Sequence, residues 1–351
     1  MDTYLFEQMN QYDLGELEKG FLSLFPEYRI DMEELFSMIL QGKITDAAGL
    51  FLESFLNGVR GEISGMKGVL IGILVIGIVS SLFSNFSDIF SGGHVSETGF
   101  YFLYLFLVAF LTKAFLHISE IAGETIQNVV LLIRLFIPTW FLSVSASSGG
   151  TTAAFYYQMM LLAAYLVESL LLSAVLPFVY SYVILALLNG IWAEERLSLL
   201  LDFLKKAIEF VLKLIMSIIA GLSLVQAVIA PVVDGLKISF LRKAVSGIPG
   251  IGAAAEGVTE LVIGSAVLIK NSLGVLLLLL LLLSCAVPLL KILAVAGIVK
   301  LGAAVTGIVS DKRISGCADR VGEGCFLVFR CVFTAVSLFI IVVAIVAYAV
   351  R

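Results

Sequence analysis

The chain has 351 residues, of which 60% are hydrophobic and only 14% charged, and its mean hydropathy is +1.08. A soluble fold of this length cannot hide so much apolar surface, so the composition points to a membrane protein. The net charge is −5, acid outnumbers base in residues 1–65, and no basic patch is present to neutralise phosphates, which argues against nucleic acid as a partner.

Residues 1–65 read as small amphipathic helices that form a non-cytoplasmic N-terminal region. The opening MDTYLFEQMN has neither the basic start nor the apolar run of a signal peptide. Insertion is therefore expected to be directed by the first span, or by a signal since removed. After Pro26, Asp31 is placed to cap a helix on which Met32, Leu35, Phe36, Ile39 and Leu40 repeat at helical spacing. Thr45 is placed to cap a second, with Ala48, Phe51, Phe55 and Val59 along one stripe. So small a region has a marginal core by itself, so it is expected to rest on the membrane surface or on the remaining chain.

Residues 66–351 form a transmembrane helical domain in which charge falls between apolar segments. Spans are expected over Met66–Phe86, Thr98–His117 and Ile126–Val144, the third containing Arg134 and Pro138. A polar, uncharged turn, Ser147–Thr152, follows. Ala153–Trp192 then stays apolar over roughly twice the thickness of a bilayer at about 1.5 Å per residue, and reads as two crossings that turn near Ala174–Pro177. An amphipathic connector, Glu194–Lys206, leads into a span over Ala207–Ala230. Residues 231–272, rich in Gly and Ala, read as a re-entrant or surface-lying segment. Leu273–Ala296 and Phe326–Val350 are the last spans, with a polar loop around Asp311–Glu323 between them. The expected fold class is all-α, a polytopic transmembrane helical bundle of about seven or eight spans.

Basic residues gather in two connectors: Arg196, Lys205 and Lys206 in one, and Lys300, Lys312, Arg313 and Arg320 in the other. Both are expected in the cytoplasm, which with eight crossings puts both termini outside.

No catalytic constellation is legible. The chain has no HExxH and no GxGD, and Glu194–Glu195 begin an EExxxR pattern in which Leu199 stands where the arginine belongs. Four cysteines without CxxC spacing and two scattered histidines, His94 and His117, give no metal site and no disulfide framework, so the cysteines read as buried or lipid-facing thiols and no cofactor is expected. A nucleotide-binding Walker motif is absent as well, so any ATP-driven step belongs to a partner.

Ionisable residues inside spans are costly and therefore become the functional candidates. Arg134 and Glu168 each sit within an apolar segment, and a pair between them reads as a clasp between helices or as part of a transport pathway. Glu209 and Lys213, four apart with the acid first, read as a local helical pair. Lys291, three residues after Pro288, either snorkels or lines a polar cavity. Glu256 and Glu260 lie one turn apart in the Gly- and Pro-interrupted stretch from Val245 to Val275; irregular backbone of this kind either builds a site at membrane depth or rests on the outer surface. Glycines at Gly68, Gly72 and Gly77, and at Gly297, Gly302 and Gly307, read as helix-packing faces within one subunit or between subunits, so a homo-oligomer stays open.

SGIPGIGAAAEGVTELVIGSAVLIKNSLGV (Ser246–Val275), the acid-rich N-terminal helices and the span LLLLLLLLSCAVPLLKI (Leu276–Ile292) together resemble the stage III sporulation protein AE family of endospore-forming bacteria over nearly the whole chain. The resemblance implies a non-enzymatic, multi-pass subunit of the channel or secretion-like complex that links mother cell and forespore and sustains late forespore gene expression. It also implies residence in the mother-cell membrane surrounding the forespore, with other membrane proteins of the same complex as partners. Family members usually begin with a signal sequence, a pattern this chain departs from. The alternative from the residues alone is a permease for a small solute or ion, with Arg134, Glu168, Glu256 and Glu260 in its pathway.

Overall fold

The computed structural model describes residues 14–26, 31–43, 46, 49, 71, 72, 75, 78, 79, 93–191, 196–246, 252–309 and 312–349. Among these, every secondary-structure element is a helix. Two short helices, α1 (Leu14–Leu24) and α2 (Met32–Leu40), precede the long ones. Helix α3 runs over Gly93–Ser148 and α4 over Gly150–Leu166. A π-helical stretch, Val167–Val175, leads without interruption into α5, Leu176–Asn189. Helices α6 (Ser198–Ser246), α7 (Gly252–Val309) and α8 (Lys312–Ala349) complete the bundle.

Helix α2 forms as its sequence dictates. The Asp31 side chain accepts hydrogen bonds from the Glu33 and Glu34 amides, both at 3.0 Å, while Met32, Leu35, Phe36 and Ile39 turn inward. Helix α1 lies along α3, where Gly20 faces Leu135 and Asn128 donates to the Leu24 carbonyl at 3.3 Å. The expected second N-terminal helix beginning at Thr45 and the first span lie largely outside the described residues.

Five helical stretches are long and apolar enough to cross a bilayer among the described residues, and they absorb what the sequence reads as separate elements. The spans expected over 98–117 and 126–144 are one helix. Between them His117, Glu120 and Glu124 sit on the exposed face while Ile118, Ala122 and Ile126 are buried, so the polar residues follow the helical period and need no turn to remove them from the core. Nor does the chain reverse near Ala174–Pro177. Pro177 has no amide hydrogen to give, and the π-helical turns upstream of it, where the Leu176 amide bonds to Leu171 five residues back, carry the helix past that defect. The expected polar loop at Asp311–Glu323 is helical from Lys312 onward, and the connector after Glu195 is helical from Ser198. In the Gly/Ala-rich region, helix covers 231–246 and 252–272, and the intervening residues lie outside the described ones.

Helix α8 is the hub, packing against α3, α4, α5, α6 and α7. Its small residues permit this: Cys317, Ala318, Cys325, Cys331 and Ala335 are all buried, and the four cysteines of the chain are free, buried thiols. A Cβ on Gly324 would stand 2.2 Å from Val183, and one on Gly322 would stand 2.9 Å from the Lys300 side chain. Those two glycines let α5 and α7 lie close against α8.

The register is set by side-chain pairs. Helix α3 runs antiparallel to α4 and α5, with Phe115 edge-on to Tyr180 at 5.7 Å and Phe141 against Tyr157 at 5.6 Å. Helix α8 returns antiparallel to α7 and parallel to α6. The outer surface carries large apolar side chains such as Leu105, Phe203 and Phe210, the surface that a bilayer requires.

Candidate functional site

One end of the bundle gathers the end of α5, the start of α6, the end of α7 and the start of α8, and a network of charged side chains lies there. Glu323 is the centre. Its Oε1 accepts from Lys205 Nζ at 2.9 Å and lies 3.5 Å from Lys300 Nζ, and its Oε2 accepts from the Tyr182 hydroxyl at 2.9 Å. Lys300 also reaches Asp319 at 2.7 Å, and Arg320 binds Asp202. Four helices, α5, α6, α7 and α8, are thus joined through two adjacent turns of α8.

These residues occupy helical faces. Asp202, Lys205 and Glu209 recur at i, i+3 and i+7 on α6, beside the apolar stripe of Leu201, Ile208 and Leu212 that is buried in the bundle. Asp319 and Glu323 are four apart on α8, so both face Lys300 on α7. Each charge meets an opposite one, which offsets the cost of removing it from water.

Beneath this network the Tyr104 hydroxyl, from α3, donates to the Leu187 carbonyl and lies 3.2 Å from Cys317 Sγ. Asn189 closes the turn after α5 by accepting the Leu197 amide at 2.8 Å. The Arg313 guanidinium stacks 3.5 Å above the Phe100 ring. A cavity of about 370 Å³ opens between them, lined by Asn189, Gly190, Arg313, Asp319, Arg320 and Glu323. It can hold water and small polar solutes next to the ion pairs.

A second charged point lies far along the α3 hairpin. Arg134 on α3 forms an ion pair with Glu168, the second residue of the π-helical stretch, and the two side chains remain 46% and 50% exposed on the chain's surface. The structure brings these two sequence candidates together. It separates another pair: Glu209 binds Arg330 on α8 rather than forming a local bond with Lys213, because the Glu209 face of α6 is turned to α8, while Lys213 is exposed.

Lys291 is half-buried on α7, and Glu256 and Glu260 lie near the start of that helix with side chains outside the described residues. Gly68 and Gly77 also lie outside them. A Cβ at Gly72 would come 2.3 Å from the Phe110 ring. Gly302 is buried, a Cβ at Gly307 would make ordinary contact with Ser315, and one at Gly297 would meet nothing within 4 Å.

Reading the sequence for spans passes over Tyr182, Asp202, Asp319 and Arg330, treats Lys205, Lys300 and Arg320 only as topology markers, and takes Glu323 only as the end of a polar loop. The signal was present, as complementary charges at helical spacing in two segments that read as connectors.

A bundle of long apolar helices, tied together at a few points by interhelical ion pairs, defines a polytopic α-helical membrane protein. The Stage III sporulation protein AE family model matches residues 30–350, and the chain belongs to that family. It is 25% identical over 283 residues to the stage III sporulation protein AE of Bacillus subtilis (strain 168), covering 80% of this chain and 68% of that relative. No solved structure matches.

Proposed function

We propose that this chain is a non-enzymatic integral membrane subunit of a channel or secretion-like complex between mother cell and forespore, and that it sustains late forespore gene expression. The observation that carries this reading is family membership over residues 30–350. The geometry supports a scaffold: Glu323, Lys300 and Lys205 tie helices together, and Arg134 with Glu168 does the same at the other charged point. Its partners are other membrane proteins of the same complex, and its place is the mother-cell membrane around the forespore.

The test is isolation of the complex from sporulating cells in mild detergent, with identification of the co-purifying proteins, beside a measurement of late forespore gene expression in cells lacking this chain. Co-purifying sporulation membrane proteins and lost expression support the reading. Recovery of the chain alone, with normal expression, refutes it.

The polar cavity favours one second reading, a permease for a small solute or ion. Its lining includes neither Arg134 nor Glu168, so the pathway would run past Asp319 and Glu323. Solute uptake by the purified chain in liposomes, lost on Glu323→Gln, would distinguish a permease from a scaffold.

A further inference from the structure

Helix α4 is bounded at both ends by backbone suited to turning. At its start Gly149 has a φ of 102°, in the region that favours glycine, and Gly150 follows it at the hairpin tip. At its end lies the π-helical stretch Val167–Val175, nine residues long, beyond which the Leu176 amide still reaches back to Leu171. Wide turns of this kind are rare beyond a single turn and frequent at functional sites. Pro177 removes one amide, but the wide turns begin at Val167, far upstream of it. A ring closed five residues back holds about one residue more per turn than the ordinary one, so nine residues turn the chain roughly half a revolution less than an α-helix would. Relaxing the stretch into an α-helix therefore swings α4 about its own axis toward its opposite face.

The two helices joined by this stretch are held differently. Helix α5 is fixed: its Tyr182 hydroxyl donates to Glu323 at 2.9 Å, and Gly324 of α8 closes on its Val183. The opposite faces of α4, by contrast, are alike. Tyr156, Met160, Ala163 and Ala164 are buried, while Tyr157, Leu161, Leu162 and Tyr165 are exposed, with Gln158 among them. An apolar stripe on one side would fix the rotation of a helix, and apolar residues on both sides leave it to another contact. Glu168, the second residue of the π-helical stretch, supplies that contact by binding Arg134 on α3. Turning α4 carries Glu168 away from Arg134.

We propose that α4 has two rotational settings: a π-helical one latched by the Arg134–Glu168 pair, and an α-helical one in which the latch is open and the outer face of α4 is turned inward. Both charged side chains are half exposed, so a group that competes for either of them shifts the balance between the settings. The device does not depend on the sporulation role.

The test follows added cysteines in the full-length chain, purified in detergent, through their rates of reaction with a small maleimide. The four native cysteines are buried, and the parent chain gives the background rate. Ala163→Cys and Met160→Cys report the inner face of α4, Tyr165→Cys its outer face, and Val179→Cys the buried face of α5. Adding Arg134→Met should raise the inner-face rates several-fold and lower the rate at Tyr165→Cys, with Val179→Cys unchanged. Because the pair is half exposed, raising the salt concentration should move the same rates in the same directions with Arg134 left in place. General loosening would instead raise the rates at Ala163→Cys and Val179→Cys together without slowing Tyr165→Cys, and that pattern overturns the proposal. So do α4 rates that respond neither to Arg134→Met nor to salt.

Discussion

Glu209 on α6 is bound to Arg330 on α8, although Lys213 lies one turn away on the same helix with the spacing and order that favour a local pair. The interhelical bond ties the first half of α6 to the hub, and it lies parallel to the Asp202–Arg320 pair two turns earlier. Arg330→Met should therefore lower the melting temperature of the detergent-solubilised chain, and Lys213→Met should leave it near wild type. Adding Glu209→Leu to Arg330→Met should recover most of the loss, because replacing both partners of such a pair by apolar groups is often neutral. Equal effects of Arg330→Met and Lys213→Met would contradict the interhelical assignment.

Glu323 holds three donors from three helices, whereas Asp319 holds only Lys300 in the network described above. Hydrogen bonds to charged groups contribute about 1.5–3 kcal/mol each. Glu323→Gln is expected to destabilise clearly more than Asp319→Asn, and Tyr182→Phe to fall between them. Thermal unfolding of the three variants in one detergent ranks them; Asp319→Asn as the most damaging would contradict the central role of Glu323.

Glycines differ sharply in what surrounds them. A methyl group at Gly324 would meet Val183 on α5 at a distance no real contact shows, and overpacking of this kind costs about 1–3 kcal/mol. At Gly297 it would meet open space, where alanine should add up to about 1 kcal/mol through helix propensity. Unfolding of Gly324→Ala and Gly297→Ala should move in opposite directions, and a harmless Gly324→Ala would refute the close approach of α5 and α8.

Glu168→Gln keeps the shape of the side chain while leaving Arg134 without a charged partner in an apolar setting. Breaking such a pair costs about 3 to 5 kcal/mol when fully buried, and less here because both side chains are half exposed on the chain. Reduced protein level is expected, with recovery in the double variant Arg134→Met with Glu168→Leu. A transport role for Glu168 predicts instead a stable protein that assembles but cannot support forespore gene expression. Level and expression measured together separate the two, and a stable, fully active Glu168→Gln contradicts both.

The charged end of the bundle is expected in the cytoplasm, since Lys205, Lys206, Lys300, Lys312, Arg313 and Arg320 all gather there. The α5–α6 and α7–α8 junctions share that end, so α8 runs away from it and the C-terminus is expected outside. Reporter fusions at residue 311 and after Arg351 test this; the same side for both would rule it out.

Composition and hydropathy alone determined that this chain is an all-helical membrane protein, because lipid forces the backbone to bond within each segment and penalises charge at depth. Asp31 as a cap and the Met32–Phe36–Ile39 stripe were legible for the same reason, since local hydrogen bonding and helical period act within a few residues. Where helices continue was not. Polar residues at 117–124 and the Pro177 segment look like turns in a hydropathy profile, and only packing on neighbouring helices shows that the chain runs straight through both. The choice of charge partner was equally hidden. Lys213 and Arg330 are both cations within reach of Glu209 in principle, and the rotation of α6 against α8, set by the buried Leu201, Ile208 and Leu212, is what decides between them.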